Sequence, residues 1–139
     1  MSPRDQLRAV GLRCTPARER VLASLGQRGA PLTHAELSEG LPELDTITLY
    51  RTLDALVGAG LAHRVQGVDG AWRTCAHSAD TRGCPANHAH FLCTRCGQMS
   101  CLLDQPMPRL AVPEGAQVQG RQLLGWGVCT ECIKATGGA

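Results

Sequence analysis

The sequence predicts an α+β protein with a helical N-terminal part that ends in a β-hairpin and a smaller C-terminal part held together by a metal ion. Capped segments with helical apolar periodicity come first, two alternating segments around a glycine turn follow, and two Cys-x-x-Cys pairs lie further on. We place the boundaries at residues 1–75, 76–87 and 88–139. The middle range is small, polar and turn-rich, which is typical of a hinge or loop.

Composition limits the class of protein. At 139 residues the chain forms one or two small domains, and only 3% of its residues are aromatic, so no large aromatic core is available. Domains of this size commonly need extra stabilisation, which a structural metal can give. Because the sequence has neither a secretory signal nor an apolar run of the roughly 18 residues that span a membrane, we expect a cytoplasmic protein with no membrane partner and with reduced cysteines.

Four helices are predicted, each opened by a residue type that caps helix N-termini. The third has the clearest signal, because Thr33 and Glu36 have the spacing of a capping box. We expect the second helix to close at Gly26 and Gly29. The four N-caps are Ser2, Thr15, Thr33 and Asp45.

The third and fourth predicted helices form a helix-turn-helix candidate. The fourth runs to about Val57 and turns small side chains and one arginine outward, namely Thr48, Arg51, Thr52 and Ala55. Such a face can enter a DNA major groove, where arginine binds phosphate or a guanine edge. An ordinary amphipathic helix with a solvated face has the same periodicity, and the net charge of +2 is too small to indicate nucleic-acid binding by itself.

The segment after the fourth helix favours the DNA-binding interpretation. Leu61–Val65 and Ala71–Cys75 alternate as strands around the turn Gly67–Gly70. Three helices followed by a β-hairpin are the layout of a winged helix, here with one extra helix in front.

Four cysteines predict a structural zinc site in the C-terminal part. They form two pairs, Cys93-x-x-Cys96 and Cys129-x-x-Cys132, which are the usual frame of a tetrahedral four-thiolate zinc site. We expect each pair to lie on a tight turn. Gly97 suits the first turn because glycine can take a positive φ, whereas Ile133 after the second pair is less typical.

A second metal site is predicted where the hairpin meets the C-terminal part. His88 and His90 are two apart on a predicted strand and so share a face, and the hairpin turn sets His63 across from about Cys75. Three imidazoles and one thiolate suit zinc better than manganese or ferrous iron. Alone, His63 would be read as a surface or phosphate-contacting residue and Cys75 as a small buried apolar one.

Several stretches, in order along nearly the whole chain, resemble the ferric uptake regulator (Fur) family. The resemblance is carried by Gly11–Arg18, Thr48–Leu53 (TLYRTL), His88–Gly97 (HAHFLCTRCG) and the pair Cys129-x-x-Cys132. It implies a dimeric, metal-sensing bacterial transcription regulator with an N-terminal winged helix and a C-terminal α/β dimerisation domain. Within the family, the cysteine at position 75 is a point of resemblance to the zinc-uptake (Zur) branch, which has a cysteine there.

The resemblance also implies roles for individual residues. Tyr50 and Arg51 match positions that contact bases and phosphate, Thr48 lies beside them on the same helix, and Arg13 matches a basic residue near an A/T-rich minor groove. Cys101 stands where some zinc-type members place a carboxylate ligand. It could replace His63 or His90, and Cys84 is another possible thiolate ligand.

Together these observations predict a zinc-sensing repressor of metal-uptake genes. It would act as a homodimer on an A/T-rich pseudo-palindrome in double-stranded DNA, with one structural and one regulatory zinc per chain. Regulators of the same family that sense iron, manganese or peroxide are the alternative. We expect no enzyme, because no acid lies beside the histidine pair and the zinc-deaminase pattern is missing. A zinc scaffold without DNA binding would leave the TLYRTL stretch unexplained.

Overall fold

A computed structural model describes residues 2–76, 88–106, 108–119 and 121–136, with backbone alone at positions 88, 103, 104 and 106. Nearly all of the predicted hinge, including Cys84, lies outside the described residues. Within the described residues there are five helices and six strands, and the strands form two three-stranded sheets, one beside the N-terminal helices and one in the C-terminal part. This arrangement confirms the predicted α+β class.

The N-terminal part begins with four helices, α1 (Pro3–Ala9), α2 (Pro16–Arg28), α3 (His34–Gly40) and α4 (Thr46–Gly58). All four predicted N-caps are confirmed, since each side-chain oxygen accepts a hydrogen bond from a backbone N–H three residues on. The capping box is complete, with Thr33 N–H donating to Glu36 Oε1 at 2.9 Å. Gly26 does not close α2; the helix runs through it to Arg28, and Gly29, whose φ is +59°, is the C-cap.

Aliphatic side chains from all four helices form the N-terminal core. Leu49, Leu53 and Leu56 of α4 are buried in it, as their spacing predicts, and Cys14 packs against its edge. The prediction that Thr52 lies on the outer face of α4 is wrong, since this residue is only 6% exposed. Its hydroxyl donates to the carbonyl of Thr48 at 2.7 Å, so a helix turn satisfies this polar group inside the core.

The first sheet contains the predicted hairpin. Strands β1 (Leu32–Thr33), β2 (His63–Gln66) and β3 (Trp72–Cys75) are antiparallel in the order β1-β3-β2. His63 pairs with Cys75, as the turn predicts. Strand β1 was not predicted, since two residues carry no periodicity. We call the β2–β3 hairpin the wing, and helices α1–α4 with this sheet complete a winged helix.

The C-terminal part is a second sheet with one short helix. Strands β4 (His88–Cys93), β5 (Met99–Pro106) and β6 (Leu124–Gly127) lie in the order β5-β4-β6, and β6 runs parallel to β4. Helix α5 (Thr130–Ala135) follows β6. Within the described residues, no helix has the length and apolar content needed to cross a membrane.

Candidate metal centres and DNA-binding surface

The four predicted structural cysteines converge at one end of the second sheet. Cys93 ends β4, Cys96 follows in the turn, and Cys129 and Cys132 lie at the start of α5. Their four sulfurs lie within 4.8 Å of one another. Cys93 Sγ is 3.8 Å from Cys132 Sγ, and Cys96 Sγ is 3.9 Å from Cys129 Sγ.

Two different backbone structures place these cysteine pairs. After Cys93 the chain turns tightly, with Gly97 at a φ of +79° and its N–H donating to the Cys93 carbonyl at 2.9 Å, as the sequence predicts. The second pair does not lie on such a turn. Cys129 is the N-cap of α5 and Cys132 is inside the helix, so Ile133 simply continues the helix and no glycine is needed.

The donor chemistry of this cluster fits a thiophilic cation. Backbone N–H groups of Cys96 and Cys129 donate to Cys93 Sγ at 3.4 and 3.3 Å and lower the pKa of this thiol to about 6. Hydrogen bonding to Cys129, together with burial, raises the pKa of Cys132 to about 12. Without a cation, therefore, Cys93 ionises readily and Cys132 resists ionisation. A divalent ion that prefers sulfur would offset the repulsion between neighbouring thiolates, so zinc fits the site.

A second cluster of thiols and imidazoles lies where the wing faces the second sheet. We call it the interface cluster; it consists of His63, Cys75, His90 and Cys101. The wing contributes the pair His63 and Cys75, and strands β4 and β5 contribute the pair His90 and Cys101.

Two distances connect the halves of the interface cluster. Cys75 Sγ is 3.7 Å from Cys101 Sγ, which is as close as the sulfurs of the four-cysteine cluster are to each other. The rings of His63 and His90 have centroids 6.3 Å apart. Cys75 and His90 are almost completely buried, at 0% and 1% exposure. Three of the four predicted sensor residues are thus brought together, and Cys101 joins them.

His88 lies on β4, as predicted, but its side chain is outside the described part of the structure. The β4–β5 register shifts at this end of β4, where His88 pairs with Pro106 and Ala89 pairs with Leu102. Cys84 also lies outside the described residues. The ligand roles of His88 and Cys84 therefore stay predictions.

Helix α4 presents an exposed surface of the kind that reads DNA. Tyr50 is 53% exposed and Arg51 is exposed, whereas Thr48 is half-buried and donates its N–H to Asp45. Arg13 is exposed on the loop between α1 and α2, where its carbonyl accepts a hydrogen bond from Arg18. None of these placements conflicts with the predicted DNA contacts.

His34 is a residue of this surface that the sequence analysis missed. Its ring stacks on the ring of Tyr50, with centroids 4.1 Å apart and an angle of 21° between the planes. Both residues line an open cleft of about 410 Å³ between α4 and the wing, with Leu53, Arg64, Trp72 and Thr74. The only local signal for His34 was its place inside the capping box, which says nothing about a ring on the next helix.

Residues 9–111 match the model of the ferric uptake regulator family. The chain belongs to this family. Its curated relatives include the transcriptional regulator FurA of Mycobacterium tuberculosis, which is 27% identical over 137 residues and is matched over 92% of this chain and 88% of its own length. The protein is therefore a metal-responsive, DNA-binding transcription regulator and not an enzyme.

Solved structures of the family share the fold. A zinc uptake regulator in complex with zinc and DNA superposes with a TM-score of 0.66 at 19% identity, over 96% of this chain and 92% of that chain. The holo form of XcZur has a TM-score of 0.57 at 25% identity, over 94% of this chain and 98% of that chain. The winged helix and the second sheet are thus the Fur-family architecture.

Proposed function

We propose that this Fur-family regulator senses zinc and represses metal-uptake genes when zinc is abundant. The observation that carries the proposal is the interface cluster, in which the wing and the second sheet each contribute one imidazole and one cysteine. Thiolate ligands favour zinc over manganese or ferrous iron, which prefer oxygen and nitrogen donors. The likeness to holo XcZur supports this choice.

The proposed ligands divide into a permanent set and a regulatory set. The four-cysteine cluster would hold a structural zinc, which supplies folding free energy on the order of 10 kcal/mol in small metallo-domains. The regulatory ligands would be His63, Cys75 and His90 with Cys101, and His88 remains a further candidate. This raises Cys101 from a possible substitute to a proposed ligand, because its sulfur lies 3.7 Å from that of Cys75.

The proposed output follows from where the regulatory residues lie. His63 and Cys75 belong to the DNA-binding part and His90 and Cys101 to the other sheet, so a ligand that binds all of them favours one orientation of the wing. Only a metal that binds the DNA-competent orientation better can shift this equilibrium. Tyr50 and Arg51 would then contact the major groove and Arg13 the minor groove, with Thr48 beside them.

We further propose that the protein acts in the cytoplasm as a homodimer on a pseudo-palindromic, A/T-rich operator. A two-fold dimer presents two copies of α4 to successive major grooves. The C-terminal part exposes large apolar side chains that a second copy would cover, namely Leu110, Val112, Val118, Leu123, Trp126 and Ile133. Analytical ultracentrifugation with and without operator DNA tests this assembly.

A zinc titration of the reduced protein tests the sensor proposal. We expect two zinc ions per chain, with DNA binding that tracks the weaker site. Cys75→Ser should weaken that site by more than tenfold and abolish the zinc dependence of DNA binding. Cys14→Ser is the matched control, because Cys14 packs against the N-terminal helices. The proposal fails if Cys75→Ser and Cys14→Ser bind the second zinc alike.

The curated relatives support a second candidate, because they are named FurA and ferric uptake regulation protein. A regulator of this family that senses iron, manganese or peroxide would bind the corresponding operator in response to ferrous iron or manganese. Parallel DNA-binding titrations with zinc, iron and manganese decide between the candidates. The thiols of the interface cluster favour zinc.

A further inference from the structure

The interface cluster has a neighbouring layer of residues that contains neither histidine nor cysteine. Each of its members lies two positions from a cluster residue on the same strand, and therefore on the same strand face. The layer consists of Val65, Arg73, Leu92 and Met99. We call these four residues together with Gln122 the wing clamp. The wing clamp thus joins the same two hairpins that carry the interface cluster.

Arg73 connects the wing to the first cysteine turn. Its side chain is only 2% exposed, and its Nη2 donates to the Gly97 carbonyl at 2.9 Å, directly after Cys96. The same guanidinium donates to both carboxylate oxygens of Asp69, at 3.1 and 2.9 Å, and lowers the pKa of that carboxyl. Asp69 is partly exposed, but the guanidinium is buried, and a bidentate, charge-assisted arrangement fixes its geometry more firmly than a single surface ion pair does.

Gln122 gives the wing a second link. Strand β2 is at the edge of its sheet, and the Gln122 amide pairs with the backbone of Gln66 there. Gln66 N–H donates to Gln122 Oε1 at 3.2 Å, and Gln122 Nε2 donates to the Gln66 carbonyl at 2.6 Å. The Gln122 side chain therefore makes the two backbone hydrogen bonds that a neighbouring strand would make at this edge of the sheet.

Apolar packing completes the wing clamp. Val65 of the wing forms a buried cluster with Leu92 and Met99 of the second sheet, and Leu124 packs against it. Val65 pairs with Arg73 in one hairpin, and Leu92 pairs with Met99 in the other. The residues of the interface cluster form the corresponding pairs two positions away on each strand. None of these contacts requires a metal.

We propose that the wing clamp sets the metal affinity of the interface cluster by holding its two halves in register before metal binds. The inference rests on the proposed sensor site. Four ligands on two separate hairpins must first be brought together, and the apparent dissociation constant rises as the docked fraction falls. Contacts that favour docking lower the apparent dissociation constant without contacting the ion.

Gln122→Ala is the main test, because Gln122 is exposed and its loss leaves both cores intact. The matched control is Gln117→Ala, on the same exposed segment. Both variants are made in the whole 139-residue chain, with the four-cysteine site loaded with zinc. We expect the second zinc to bind roughly tenfold more weakly in Gln122→Ala, as the loss of two hydrogen bonds implies, and to bind normally in the control.

A measurement without metal in the interface cluster tests the same contact. The Gln66 amide should exchange hydrogen several-fold faster in Gln122→Ala than in the control, since its acceptor is gone. The proposal requires both results, so unchanged zinc affinity or unchanged Gln66 exchange overturns it. If instead Cys75→Ser leaves second-site zinc binding unchanged, the sensor proposal fails, and the exchange result still decides whether the clamp holds the wing.

Arg73→Lys tests the other link with the charge kept. Lysine cannot bridge Asp69 and the Gly97 carbonyl with a planar fork, so we expect weaker binding of the second zinc than in the control Arg28→Lys, at the exposed end of α2. Equal zinc affinity in these two variants contradicts the role of Arg73. If Arg73→Lys does not fold, Gln122→Ala decides.

Discussion

Gly67→Ala is expected to destabilise the protein, because this glycine leaves room for the wing clamp. A Cβ added at residue 67 would lie 2.5 Å from Arg73 Nη1, 2.6 Å from Asp69 Oδ1 and 3.0 Å from Leu92 Cδ2. Ordinary contacts begin at 3.4 Å, so the guanidinium would have to move by about 1 Å. It cannot do so freely, since it also donates to the Gly97 carbonyl.

The size of the effect follows from overpacking alone. Gly67 is not in the left-handed φ region, so alanine adds no backbone strain there. Inserting a methyl group into a well-packed site costs about 1–3 kcal/mol. For a chain of this size that corresponds to a melting temperature lower by roughly 3–10 °C.

Gly26→Ala is the matched control and should move the melting temperature the other way. Gly26 lies inside α2 with no atom within 4 Å of an added Cβ, and alanine in a helix is favoured over glycine by about 1 kcal/mol. Thermal unfolding of the zinc-loaded proteins, followed by circular dichroism, measures both shifts. If Gly67→Ala melts at or above the wild-type temperature, the wing is not packed tightly against β4 and the reasoning is wrong.

Three further predictions use other parts of the chain. Thr33→Ala removes the capping box of α3 and should lower the free energy of unfolding of the winged helix by about 1 kcal/mol, as measured by urea denaturation. Arg51→Ala should weaken operator binding and reduce the slope of log affinity against log salt by about 1, as expected for the loss of one phosphate contact, whereas Arg28→Ala should leave this slope unchanged. Cys93→Ser, or removal of the structural zinc by a chelator, should unfold the second sheet and leave the signals of the N-terminal helices in nuclear magnetic resonance spectra, and a sheet that stays folded without metal would contradict the structural role.

The features that sequence predicted well are local. N-caps, the capping box and the positive φ of Gly97 depend on residues within four positions of each other, and each is present in the structure. The pairing of His63 with Cys75 is almost as local, because a short turn fixes the register of a hairpin.

Two of the features that sequence missed depend on distant contacts, whereas the burial of Thr52 has a local cause. Thr52 was placed outside because its residue type is polar, but a hydrogen bond to the preceding turn lets it lie in the core. The stacking of His34 on Tyr50 needs the packing of α3 against α4. The approach of Cys101 to Cys75 needs two hairpins to dock, and no spacing along the chain encodes that event.

The wing clamp must be of intermediate strength if the interface cluster is a sensor. A ligand shifts a two-state equilibrium only as far as its preference for one state exceeds the existing bias. If the contacts of Arg73 and Gln122 docked the wing completely, metal binding would not change the orientation of the wing. Without these contacts, most of the free energy of metal binding would be used to dock the wing. The clamp is small and partly exposed, with one buried guanidinium and one solvent-accessible amide, which suits a partial bias. The zinc concentration at which the regulator responds should therefore depend on residues that never touch the metal.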